Sequence, residues 1–105
     1  MIKVTFTESP EKLSLRLEGH AGYAEHGKDI VCASASILAY TLASIIDSFD
    51  DDVETFINLA SGDTTIGCRC KDDQTYTKVA NAFRYTQIGY ALLEHNYPQY
   101  VKLML

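Results

Sequence analysis

The chain has 105 residues, of which 47% are hydrophobic and 22% charged, the usage of one ordinary globular domain over 1–105 rather than of a disordered segment. A formal charge of −5 argues against direct nucleic-acid binding, which draws on a basic face. The opening MIKVTFTESPEK has no apolar signal core, and three cysteines without a secretory context point to free thiols in the reducing cytoplasm. Ile2 to Thr7 alternates apolar and polar side chains, the period of a half-buried strand. Glu8-Ser9-Pro10-Glu11 is turn chemistry. Leu13, Leu15 and Leu17 then alternate with Ser14, Arg16 and Glu18, completing a predicted hairpin.

Residues 19–29, GHAGYAEHGKD, carry three glycines and no period. A loop of that length between a strand and a helix exceeds the usual connection of about 4–6 residues, as functional loops often do. A helix is predicted from about Ile30 to Phe49, with Val31, Ala35, Leu38, Leu42, Ile45, Ile46 and Phe49 on its buried face and Asp29 as N-cap. Ser34, Ser36, Tyr40, Thr41 and Ser44 interrupt this segment, which reads as too polar and too short for a membrane span. Asp50, Asp51 and Asp52 form a solvated turn. A third strand follows, with Val53, Thr55, Ile57 and Leu59 on one side, then a turn at Ser61-Gly62-Asp63 and a fourth strand from Thr64 to Cys70. A second helix from about Asp73 to His95 buries Tyr76, Val79, Ala80, Phe83, Tyr90 and Ala91; Pro98 ends it, and Val101 to Leu105 is a last strand. The order ββαββαβ predicts an α+β fold, two helices packed on a sheet of about five strands.

Residues that carry chemistry crowd into 19–36, GHAGYAEHGKDIVCASAS. A phosphate loop is the first reading, because residues 22–28 match the start of GxxxxGK[ST]. Asp29 occupies the hydroxyl position, where its carboxylate repels phosphate. A metal site from His20, His26 and Cys32 is the second. Five residues separate each pair, which fits no compact zinc spacing, so no metal is expected. Cys68 and Cys70 point one way from a strand and read as small buried apolar side chains.

A thiol nucleophile is the third reading. Cys32 falls in the first helical turn, where the helix dipole and free N–H groups favour the thiolate. His20, at the end of the second strand, can meet it as general base and acid. Ser36 lies one turn further along the same face, and N–H groups at the helix start are natural oxyanion donors. The residues alone leave a rival open, in which Cys32 caps a packed core and His20 is a solvated strand end.

Gly19-His20-Ala21, then Gly27-Lys28-Asp29-Ile30-Val31-Cys32-Ala33, then Ser36, resemble the ribosomal-processing cysteine protease family, Prp. The resemblance implies a cytoplasmic cysteine endopeptidase that removes the N-terminal extension of the large-subunit ribosomal protein bL27, without a cofactor. It implies a dyad of His20 and Cys32, a hinge at Gly19, support from Asp29 and Ser36, a homodimer, and a mobile loop over the site formed by Ala21, Gly22, Tyr23, Ala24, Glu25, His26, Gly27 and Lys28. A phage relative that processes a capsid or scaffold precursor, and a non-catalytic ribosome- or capsid-associated binding module, are the alternatives. Within the loop, His26 and Glu25 read as solvated, while Tyr23 either walls the substrate cleft or pins the loop down.

Overall fold

The computed structural model describes residues 1–104. Strands β1 (Ile2–Glu8) and β2 (Lys12–Glu18) are followed by helix α1 (Ile30–Asp47), then β3 (Val53–Ala60), β4 (Asp63–Cys70), α2 (Asp73–Asn96) and β5 (Val101–Met104). They form one sheet in the order β3-β4-β2-β1-β5. β5 runs parallel to β1 and every other pairing is antiparallel. The fold is α+β, as predicted; Leu105, assigned from sequence to the last strand, lies outside the described residues.

The alternation in β1 and β2 decides which face is covered. Ile2, Val4, Leu13, Leu15 and Leu17 are buried, and their register brings Ile66 and Cys68 of β4 beside Leu15 and Leu13 on that face. Both helices close over it. Val31, Ala35, Ala39, Leu42 and Ile46 form the buried side of α1, and Val79, Ala80, Phe83, Tyr90 and Leu93 that of α2. The helices approach closely at Gly89, where a Cβ would stand 2.7 Å from Leu38 Cδ2. The buried hydroxyl of Tyr90 donates to the Ala35 carbonyl at 2.7 Å, tying α2 to the second turn of α1.

Several side chains depart from the expected faces. In α1, Ala39 is in the core and Ile45 is exposed; in α2, Ala91 is exposed and Tyr76 only half-buried. In β3, Val53, Thr55, Ile57 and Leu59 share one side, as expected. Val53 is buried, but Thr55, Ile57 and Leu59 are exposed because β3 is the outermost strand, beyond the cover of the helices. On its other face, Lys12 Nζ lies 5.3 Å from the centre of the Phe56 ring. By length and composition α1 does meet the measure of a membrane-crossing helix, contrary to the sequence reading. Its Val31, Ala35, Ala39, Leu42 and Ile46 are instead buried within this molecule. Asp50–Asp52 form a 3-10 turn, and all three are exposed.

Leu42 is fully buried while Ile45 is 37% exposed. Leu42→Ala should therefore lower stability by about 2–5 kcal/mol, and Ile45→Ala by no more than about 1 kcal/mol. Urea unfolding of the two variants measures the contrast.

Candidate active site

The site is organised around a buried carboxylate. Asp29 caps α1, its Oδ1 accepting hydrogen bonds from the N–H groups of Val31 at 3.0 Å and Cys32 at 2.9 Å. Its Oδ2 accepts from Tyr23 at 3.0 Å and Ala24 at 3.2 Å. The Asp29 carbonyl takes the Ala33 N–H at 3.0 Å. One residue thus starts the helix and fastens the preceding loop to it. Burial opposes the charge on Asp29, but the four N–H donors outweigh it and hold the carboxyl below its ordinary 3.8.

Cys32 is half-buried in the first turn, and its Sγ accepts the Ala21 N–H at 3.4 Å. Ala21 is 3% exposed and part of the core, so packing fixes that donor's direction. His20 is exposed. Its carbonyl accepts from the Met1 nitrogen at 2.6 Å, and its ring rests on the β3–β4 turn. A Cβ built on Gly62 would lie 2.7 Å from His20 Nε2 and 3.1 Å from Cε1. Gly62 has φ +75° and its carbonyl accepts the Gly19 N–H at 2.9 Å, so the turn both anchors the strand end and seats the imidazole. Gly19 has φ +94° and no room for a side chain, since a Cβ would stand 2.5 Å from the Met1 oxygen.

Two clefts meet at this point. The larger, about 670 Å³, is lined by Ala24, Lys28, Ile30 and Ala33 among others; the smaller, about 330 Å³, by Leu17, Tyr40, Leu59, Ala60 and Asp63 among others. His20, His26, Cys32 and Ser36 line both. The fold therefore places the thiol, two imidazoles and a hydroxyl on the divide between the clefts. Among the described residues, neither His20 nor Ser36 is hydrogen-bonded to Cys32.

The loop is more firmly held than its glycines suggested. Tyr23 packs edge-to-face on Tyr97 and Tyr100, with ring centres 5.6 and 5.2 Å apart. It thus pins the loop and does not line either cleft. Glu25 and Lys28 are exposed, joined by a turn in which the Lys28 N–H donates to the Glu25 carbonyl at 2.9 Å. Of the first-turn N–H groups expected to serve as oxyanion donors, those of Val31, Cys32 and Ala33 are bonded to Asp29, which leaves that of Ile30. Gly62, Leu59 and Ala60 were not among the sequence candidates. Strand β3 and its turn read only as local structure, and nothing in a linear pattern announces which distant turn will meet His20.

The remaining thiols differ from Cys32. Cys68 is buried, and burial, with Cys70 beside it, pushes its thiol up to about 12. Burial also raises that of Cys70. Both side chains are held in the core as neutral apolar groups, as expected.

The sequence profile of the cysteine protease Prp family matches residues 1–102. The chain belongs to this family. The ribosomal processing cysteine protease Prp of Bacillus subtilis (strain 168) is 43% identical over 42 residues, a segment covering 38% of each protein. The fold is shared over nearly the whole chain. The essential ribosomal processing protease Prp of S. aureus, solved with a covalently linked product peptide, superposes with a TM-score of 0.80 at 26% identity, covering 98% of this chain and 97% of that one. A protein of Streptococcus mutans superposes with a TM-score of 0.70 at 30% identity, covering 98% and 91%.

The carboxylate at the centre of the site gives a pH test. The folded value of Asp29 is the lower one, so the stability its charge contributes is complete above 3.8 and is lost as pH falls through the depressed folded value. Acid unfolding followed by circular dichroism should show the wild type losing more stability in that window than Asp29→Asn, which carries no charge to lose. Equal losses would remove Asp29 from this role.

Proposed function

We propose that the chain is a cysteine endopeptidase that trims the N-terminal extension of a ribosomal protein precursor, bL27 by family resemblance, with Cys32 as nucleophile and His20 as its base. One observation carries this reading: Cys32 and His20 stand together on the divide between two clefts, while the other two thiols are sealed in the core. An extended peptide laid from one cleft to the other passes its backbone over Sγ.

The His20 ring is exposed. Leaving its seat on Gly62, it takes the thiol proton as sulfur attacks the scissile carbonyl, and then returns that proton to the leaving amine. Gly19 is the hinge of this movement. Ser36 and Asp29 support the site, the one from the cleft wall and the other by fixing the start of α1. The segment 21–28 is the substrate gate. Its anchors at Asp29 and Tyr23 confine the opening to 25–28, the part that carries His26 over both clefts. The reaction takes place in the cytoplasm and needs no cofactor.

Mass spectrometry of bL27 precursor incubated with the protein should show loss of an N-terminal peptide. Cys32→Ala and His20→Ala should abolish that cleavage, and Ser36→Ala should cost less, as a supporting hydrogen bond is worth about 0.5–1.5 kcal/mol. Iodoacetamide followed by peptide mapping should label Cys32 ahead of Cys68 and Cys70. Full cleavage by His20→Ala, or faster labelling of Cys68, would refute the dyad. A capsid or scaffold precursor cut in place of bL27 would assign the phage-type substrate.

A homodimer is part of the same reading. Ile37, Tyr85, Ile88 and Leu92, each more than half exposed on the two helices, supply apolar surface that a partner copy would cover. Sedimentation equilibrium should return twice the 11.7 kDa chain mass.

A further inference from the structure

In the first turn of α1, Asp29 engages the N–H groups of Val31, Cys32 and Ala33, including the thiol residue's own, and leaves only that of Ile30, two residues ahead of the thiol. A peptide carbonyl attacked by Cys32 nevertheless develops a negative oxygen that needs a donor placed in advance. Only one main-chain donor is recorded on Cys32 Sγ among the described residues: the N–H of Ala21, at 3.4 Å. Its direction is set by the burial of Ala21, 3% exposed and packed into the core. It also belongs to the residue that follows His20, so the proposed base and this donor sit on consecutive residues.

We infer that the main-chain N–H of Ala21 is the oxyanion donor of this site, an assignment that rests on the reading of Cys32 as nucleophile. When Sγ attacks, the S–C bond forms, the thiol proton passes to His20, and the carbonyl π pair moves onto oxygen. The sulfur becomes part of a thioether-like centre and a weak acceptor. The oxyanion, two bonds from the sulfur, falls within the reach of about 2.7–3.1 Å that such donors require. The hydrogen bond is thereby handed from sulfur to oxygen as the charge moves. It strengthens in the transition state relative to the bound substrate, which is the condition for raising kcat. Collapse returns the pair to the carbonyl, breaks the C–N bond and moves the proton from His20 to the leaving amine.

The test deletes one N–H. A synthetic 1–31 thioester with lactic acid in place of Ala21 is ligated to a 32–105 fragment, whose first residue is Cys32; an all-amide chain made the same way is the reference. The ester chain should cleave precursor about 10²–10³-fold more slowly in kcat, with KM little changed and alkylation of Cys32 by iodoacetamide reduced far less than kcat. A kcat within tenfold of the reference overturns the assignment. Alkylation falling in step with kcat also overturns it, since the N–H would then serve the thiolate and not the oxyanion. Cys32→Ala separates the two levels: if that variant still cleaves, the nucleophile itself is wrong, whereas an inactive Cys32→Ala beside an active ester chain removes only the donor. A second measurement uses the unaltered fold. In ¹⁵N-labelled wild type, the tetrahedral adduct of Cys32 with acetyl-Leu-Leu-norleucinal should move the Ala21 amide proton downfield, and an unmoved amide in the adduct overturns the assignment.

Discussion

The carboxylate of Asp29 is the constraint on which the site depends. A helix start leaves N–H groups without partners, and a glycine-containing loop is entropically costly to hold. Asp29 answers both with two oxygens, one turned into α1 and the other back onto Tyr23 and Ala24. Without it, Cys32 has a frayed first turn and the loop between His20 and Cys32 loses its inner anchor. Its charge carries the arrangement. A neutral amide oxygen can accept some of these bonds, but ionised acceptors make them roughly twice as strong.

The same economy has a consequence for the chemistry. Amides that cap a helix are unavailable to a substrate. The loop that Asp29 holds supplies a replacement from its other end, where Ala21 is packed in the core. The thiol is thus approached by the helix from one side and by the β2 strand end from the other. The sheet brings a third participant, the β3–β4 turn, whose Gly62 touches the imidazole. This contact is possible because β4 pairs with β2 in a register that sets Asp63 opposite Glu18, leaving the turn level with the strand's exit.

Much of this was legible in the residues. Leu13, Leu15 and Leu17 alternate cleanly because one face of β2 is buried and the other is not, and the structure keeps that face. Asp29 announced the helix start by its chemistry, and Cys32 followed at first-turn spacing. Ile57 and Leu59 keep the shared side the sequence gives them, but burial depends on where a strand falls in the sheet, and an edge position leaves them in water. The misreading in α1 has a physical cause. Ile45 sits at the margin of the α1 stripe, where a small rotation of the helix decides between Ala39 and Ile45. Gly62 was visible as a turn residue, but its contact with His20 spans 42 positions and depends on strand order. Tyr23 was open between two roles, and only the position of Tyr97 and Tyr100 after α2 decides for the anchor.

That aromatic anchor makes the molecule an optical instrument of its own. The chain has seven tyrosines and no tryptophan, so no indole outshines their emission. Three of the seven meet at the foot of the loop, Tyr23 edge-to-face with rings at 5.6 and 5.2 Å, distances at which excitation passes readily among identical rings. Displacement of Tyr23 would interrupt that exchange and raise the anisotropy of tyrosine emission. The hold of the loop's aromatic anchor, while residues 25–28 open, can therefore be followed by light alone in the unlabelled protein.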